Sequence, residues 1–324
     1  MELHRSNRLE VGRGIIFAAI GACLCATHVA AQEEHAHEDG STHLHDGLHF
    51  THPLIAESVT PDTKIRFDYQ WLDFPDGDTE NSTVLEAEYA FHRSFSIELG
   101  LPYSNSAGEF GNLEAVFKFA NYAFEEAGIL LGYGVELGFP TNGTPDDHDE
   151  EHDEGSASRR PAGPGASPWL TPPRFNSGGG GGGVEGTLGT DEWELAPFLN
   201  FGLKRGRFEF VAWGIIGIPF GGEEAADEDS EAEAEEHEEE GVELSYNLSA
   251  LYGFSSRVHG VLELDGAGGI SGAGVGEDVL NLAPGVRFQL FANQPLVLGV
   301  SAGLPLTNEE FFDARIKASL FWHF

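Results

Sequence analysis

The chain has 324 residues, with 54 Asp and Glu against 17 Lys and Arg and a formal net charge of −37. So large an acidic excess excludes duplex nucleic acid as a partner, because phosphate contact needs Lys and Arg. Its two cysteines, Cys23 and Cys25, both lie near the start, in what reads as an export signal, so neither a disulfide nor a thiolate metal site is expected beyond it.

Residues 1–31 have the pattern of a signal peptide. Arg5, Arg8 and Arg13 are positive, and Gly14 to Leu24 is apolar but too short to span a bilayer. Val29-Ala30-Ala31 supplies small residues for cleavage before Gln32. Residues 32–62 form a His-rich arm, expected on the periplasmic side, loose at first and docked from Leu48 onward. His35-x-His37 and His43-x-His45, set among Glu33, Glu34, Glu38, Asp39 and Asp46, offer imidazoles beside carboxylates. Neutral imidazole binds zinc, copper or nickel, and a spacing of two suits weak, exchanging coordination. A solvated spacer would have the same composition. No cofactor is expected other than such a weakly held divalent metal. His49 and His52 flank Phe50 and read as packing residues.

From residue 63 the chain alternates. Ile65, Phe67, Tyr69 and Trp71 share one face, with Arg66, Asp68 and Gln70 on the other; Leu85, Ala87, Tyr89 and Phe91 oppose Glu86 and Glu88. The pattern repeats in twelve segments of roughly ten residues, the length a tilted strand needs to cross a bilayer. The last runs from Ile316 to Phe324, with Ile316, Ala318, Leu320 and Trp322 opposing Arg315, Lys317, Ser319 and His323; Phe321 is the exception. Apolar residues outward and polar residues inward are what a closed barrel in lipid requires. Residues 63–324 are therefore expected to form an all-β, transmembrane, antiparallel up-and-down barrel of about 12 strands in the bacterial outer membrane. Alternation alone would also suit a soluble sandwich.

The links give an independent argument. The even-numbered ones are short, as at His92-Arg93-Ser94, Lys204 to Arg207 and Ser255 to Arg257. Most odd-numbered ones are longer, as at Pro75 to Ser82 and Ser104 to Gly111. Short periplasmic turns with long outer loops are the barrel pattern, and a sandwich has no reason to sort its loops by parity. Tyr69, Trp71, Tyr103, Trp193, Tyr252 and Trp322 near strand ends suit interfacial girdles. Two outer loops, 141–191 and 221–241, are low in complexity and expected to be disordered. The first places His148 and His152 among acids, and the second is mostly Glu, so both would gather divalent cations loosely or act as a solvated surface. The six glycines from Gly178 to Gly183 lack a following Lys-Ser/Thr and are a linker, not a phosphate loop.

With apolar faces outward, Arg66, Asp68, Glu86, Glu88, Lys118, His259, Glu263, Arg287, Arg315 and Lys317 point into the lumen. Such a mixed-sign wall either cross-links itself into a plug or lines a narrow polar path, and the arm could also fold back into it. His259 and His323 are candidate general bases, but there is no G-x-S-x-G stretch and no enzymatic role is expected.

The run from His45 to Ser58, then Pro61-Asp62-Thr63-Lys64, resembles uncharacterised outer-membrane barrels described as transporters. Residues 45–324 are similar in layout to the family named for the meta-pathway of phenol degradation, and the terminal aromatic resembles the signature read by the outer-membrane assembly machinery. The resemblance implies a porin-like channel or transporter for a small solute, with outer-membrane lipid and that machinery as partners. The His arm and acidic loops favour divalent metal ions as cargo. Small hydrophobic or aromatic compounds, or a sealed structural or surface barrel, are the alternatives.

Overall fold

A computed structural model describes residues 48–75, 77–105, 108–140, 193–220, 242–271, 278–292, 294–307 and 312–324. The stretch expected to be a signal peptide, the arm before Leu48 and the loops expected at 141–191 and 221–241 lie outside the described residues.

Twelve strands form the wall: Lys64–Asp73, Thr79–His92, Phe95–Ser104, Leu113–Asn121, Ile129–Phe139, Trp193–Arg205, Phe208–Phe220, Glu243–Gly253, Val258–Gly269, Asp278–Phe291, Gln294–Pro305 and Ala314–His323. A two-residue strand, Glu109–Phe110, extends the outer end of the third. Each wall strand pairs antiparallel with the next. The first pairs with the last, Ile65 opposite Trp322 and Asp73 opposite Ala314, which closes the ring and leaves no edge. The chain is thus a closed, twelve-stranded, up-and-down antiparallel barrel.

Side-chain period decides what faces where. Along the first strand Ile65, Phe67 and Tyr69 are 38%, 45% and 37% exposed, while Lys64, Arg66 and Asp68 between them are buried. An apolar outer face repeated around the whole wall would be costly in water, at about 25 cal/mol per Å². Hydrocarbon is its proper surroundings, so the barrel is one of the bacterial outer membrane. Aromatic rings gather at both rims. Phe91, Phe95, Phe119 and Tyr133 follow one another across four strands at centroid separations of 5.7, 4.9 and 5.5 Å. At the opposite rim Phe139, Trp193 and Phe220 do the same.

The turns at 93–94, 206–207 and 254–257 share one rim with the start of the first strand and the end of the last, which makes that rim periplasmic. One outer link is shorter than the sequence suggests. The second strand begins at Thr79 rather than after Ser82, because it stays paired to Asp73, and Tyr69 donates a 2.7 Å hydrogen bond to Asn81 Oδ1. Behind this link Leu72, Phe74 and Phe312 form a small buried apolar group at the outer rim.

Candidate functional site in the barrel lumen

The lumen holds the arm. Phe50, Leu54, Ile55, Ala56 and Val59 are each 2% exposed or less, although no strand pairs with them. A segment without sheet partners must still satisfy its backbone groups when buried. Here the wall does so with charge. Glu209 accepts from the Thr51 amide at 2.7 Å and from its hydroxyl at 3.2 Å. Glu263 accepts from the Leu54 amide at 3.2 Å and the Ile55 amide at 3.0 Å. Glu88 accepts from the Asp62 amide at 3.0 Å. Cations take the carbonyls: Lys204 donates to His49 O at 2.9 Å, Arg66 to Leu54 O at 2.7 Å, and Arg287 to His52 O. Acids thus meet arm amides and bases meet arm carbonyls, as charge-assisted bonds stronger than neutral ones.

Small wall residues make the room. A methyl built on Gly202 would lie 2.7 Å from the Phe50 ring, and one on Gly299 would collide with Leu54. The arm enters at the periplasmic rim, turns near Glu263 midway along its strand, and returns to Asp62.

Several other wall charges pair around the arm. Lys64 sits 2.6 Å from Glu88 and 3.3 Å from Glu98; Lys118 sits 2.8 Å from Glu57 of the arm and 3.2 Å from Glu88. Asp68 is shared by Arg66 and Lys317, both at 2.9 Å, and Arg315 pairs with Asp265 at 2.6 Å. Burial pushes the Glu57 carboxyl up, but Lys118, Lys64 and Arg66 outweigh it and hold the group well below the usual carboxylate range.

Of the residues assigned to the lumen from sequence, Arg66, Asp68, Glu86, Glu88, Lys118, Glu263, Arg287, Arg315 and Lys317 are buried on the inner face, and His259 is partly buried near the periplasmic rim. His35, His37, His43, His45, His148 and His152 lie outside the described residues. His49 and His52 do more than pack. Both imidazoles approach Asp62, as does His323. Phe321, the break in the last strand's alternation, points inward with the guanidinium carbons of Arg66 and Arg287 at 4.9 and 4.6 Å from its ring. It gives two buried cations an aromatic face.

Asn200, Trp213 and Asn247 read as inward from sequence, but their juxtaposition does not emerge from it. Asn200 opposes Trp213, Trp213 opposes Asn247, and Asn247 opposes Asp265, so their side chains share one level and one face. Asn200, Trp213 and Asn247 are 3% exposed or less. Both amide atoms of Asn200, Trp213 Nε1 and Asn247 Nδ2 have no hydrogen-bond partner among the described residues. Beside them Phe198, Ile215, Val116 and Ala196 form an apolar cluster with Ile55 and Ala56 of the arm. Periodicity could place each residue inward, but only the register brings the three together.

No family model matches the chain, and no curated protein does. Solved structures do. A COG4313 outer membrane channel from Pseudomonas putida F1 is similar over 90% of this chain and 100% of its own, at 14% identity and a TM-score of 0.53. The NanC porin covers 81% of this chain and 98% of its own at 7% identity and a TM-score of 0.48. The KdgM porin covers 81% and 99% at 10% identity and a TM-score of 0.46. At such identities the likeness is one of fold, an outer-membrane barrel.

Proposed function

We propose that this protein is an outer-membrane channel for small, mostly apolar solutes that carry a polar end, with the arm as a movable plug. The observation that carries this reading is the row of Asn200, Trp213 and Asn247 against the cluster of Phe198 and Ile215. A buried polar atom without a partner costs roughly 1–3 kcal/mol. A hydroxyl or carbonyl arriving on an aromatic or aliphatic body would meet those atoms while its body lies on the apolar cluster. The fold shared with the Pseudomonas channel supports a channel role, and the resemblance to the phenol meta-pathway family supports an aromatic cargo.

Passage of divalent metal ions finds less support in the described lumen. Glu57, Glu88, Asp68, Asp265 and Glu263 are engaged by Lys64, Lys118, Arg66, Lys317 and Arg315, or by arm amides. A free cation would have to displace these partners.

Uptake of labelled phenol-sized solutes into proteoliposomes tests the reading. Entry should exceed that of a sugar of equal mass, and Asn247→Leu combined with Trp213→Phe should slow entry of hydroxylated solutes several-fold while sparing plain hydrocarbons. Equal entry of both classes in parent and variant would sink the solute assignment. No entry of anything, with or without the arm, would leave a structural barrel.

A further inference from the structure

Two clusters of metal-ligating side chains lie within the described barrel. The first, Glu57, Glu88 and Glu98, already holds two ammonium groups, Lys64 and Lys118, at 2.6 to 3.3 Å from one or more of its oxygens. With Arg66 3.6 Å from Glu57, three cations face its three carboxylates, and nothing further is asked of it. The second cluster differs in kind. His49, His52 and Asp62 bring their ligand atoms within 4.8 Å of one another. The distances to Asp62 Oδ2 are 3.6 Å from His49 Nε2, 3.0 Å from His52 Nε2 and 2.7 Å from His323 Nδ1. Three imidazole nitrogens therefore surround one carboxylate oxygen.

That spacing is informative. In a tetrahedral zinc site, ligands ~2.0–2.1 Å from the metal stand about 3.3 Å from each other. The ligand atoms of His49, His52 and Asp62 all lie within 4.8 Å of one another, so modest shifts would let one ion sit between these three. Two imidazoles with one carboxylate is a donor set for zinc, cobalt, nickel or copper, and a poor one for calcium or magnesium. The walls of the site are fixed. His52 is 2% exposed, with Phe321 and His323 at ring separations of 5.7 and 5.2 Å. Its Nδ1 has no partner among the described residues. His49, with its side chain 39% exposed, lies on the periplasmic side and leaves a way in.

We infer that His49, His52 and Asp62, with His323 bonded to the Asp62 carboxylate, form a binding site for a divalent transition-metal ion at the periplasmic mouth, and that the bound ion fastens the arm in the lumen. The second clause follows from where these residues originate. His49 and His52 belong to the entering limb of the arm, Asp62 to its root just before the first strand, and His323 to the last wall strand. An ion held by these three ties the entering limb to the arm's root, which His323 bonds to the last wall strand, and an arm that leaves the lumen must first release it. The latch rests on the plugged-channel reading; the binding site does not.

The experiment is a cobalt titration of the full chain folded in detergent, read by the strong visible absorption of tetrahedral cobalt, with a competing chelator to rank affinities. One tight equivalent is expected. It should be unchanged in the quadruple variant H35A/H37A/H43A/H45A, which removes the loose ligands of the leading stretch. It should weaken roughly tenfold or more, with loss of the tetrahedral band, in H52A and in D62N. Heat-modifiable gel migration verifies folding, and if H52A does not fold, H49A at the exposed rim carries the same expectation. Persistence of the tight equivalent and its band in H49A and D62N, or their loss in the quadruple variant, overturns the site. In planar bilayers a chelator should raise the frequency of open events in the parent and leave D62N unaffected. A chelator with no effect on a conducting parent overturns the latch. A silent bilayer under every condition would count against the channel reading, while the cobalt titration stands apart from it.

Discussion

At the scale of single residues, the unusual feature is how many buried acids and bases of the wall find partners on the arm. Glu263 shows how. Its two carboxylate oxygens accept the Leu54 and Ile55 amides and the Ser249 hydroxyl, so fixed donors replace part of its solvation. Glu263→Ala would leave both arm amides unpaired at roughly 1–3 kcal/mol each, while Glu263→Gln keeps one acceptor. A dye on Leu48→Cys, in a chain with no cysteine after Cys25, should be quenched by solvent far more in the alanine variant than in the glutamine one. Equal quenching in both would deny Glu263 its role as the arm's anchor. Glu57 adds a pH dependence with a definite sign. Its carboxyl is held below its ordinary value of 4.5, so the docked arm binds fewer protons there than a released one. The docking it supplies is complete above pH 4.5 and declines as pH falls below that value toward the depressed one. The same dye should report release on acidification, and Glu57→Gln should dock more weakly at neutral pH and respond less to acid. A parent that stays docked with falling pH would refute the assignment.

At the scale of elements, the wall was legible because lipid and lumen impose opposite demands on alternate residues. Lys64, Arg66 and Asp68 share a parity that Ile65, Phe67 and Tyr69 do not, and the strand follows. Closure was legible in the sorting of link lengths. The arm was not legible in the same way. It has no period, since it satisfies neither a sheet nor a lipid face, and its partners Glu209, Glu263, Arg66 and Arg287 are scattered through the chain. Phe321 looked like a fault in the last strand until Arg66 and Arg287 were found stacked on it. The row of Asn200, Trp213 and Asn247 depends on strand register, which periodicity leaves open by two-residue steps. Register and arm meet at Gly202. Gly202→Val would place a branched side chain where Phe50 now lies. It should expel the first half of the arm and leave the barrel's heat stability on gels close to that of the parent. A large fall in barrel stability instead would mean that the arm belongs to the folding core rather than sitting in a preformed lumen.

At the scale of the whole molecule, the wall and the arm divide the work. Every wall strand is hydrogen-bonded to two neighbours, so the cylinder needs nothing from the arm to stay closed. The arm between Phe50 and Glu57 takes its charge-assisted bonds from the wall, at Glu209, Glu263, Arg66, Arg287 and Lys118. Removing residues 48–61 should therefore leave a folded barrel with an opened lumen. Its ion preference follows from what the arm leaves behind. Among the described residues, the buried charged groups on the wall are nine acids and six bases: Asp68, Glu86, Glu88, Glu98, Glu114, Glu136, Glu209, Glu263 and Asp265 against Lys64, Arg66, Lys118, Arg287, Arg315 and Lys317. Glu263 would lose its two arm amides and face water, and Glu209 would keep only Lys204, 2.8 Å away. The vacated path should pass cations in preference to anions, with a preference that weakens as salt screens the wall. Reversal potentials under a potassium chloride gradient measure this directly. Steady, cation-selective conductance in the shortened chain, against rare openings in the parent, is the expected result. An anion-selective path would mean that the acids of the wall stay bound to its bases once the arm is gone, and a silent one would mean that the wall closes on itself without any plug.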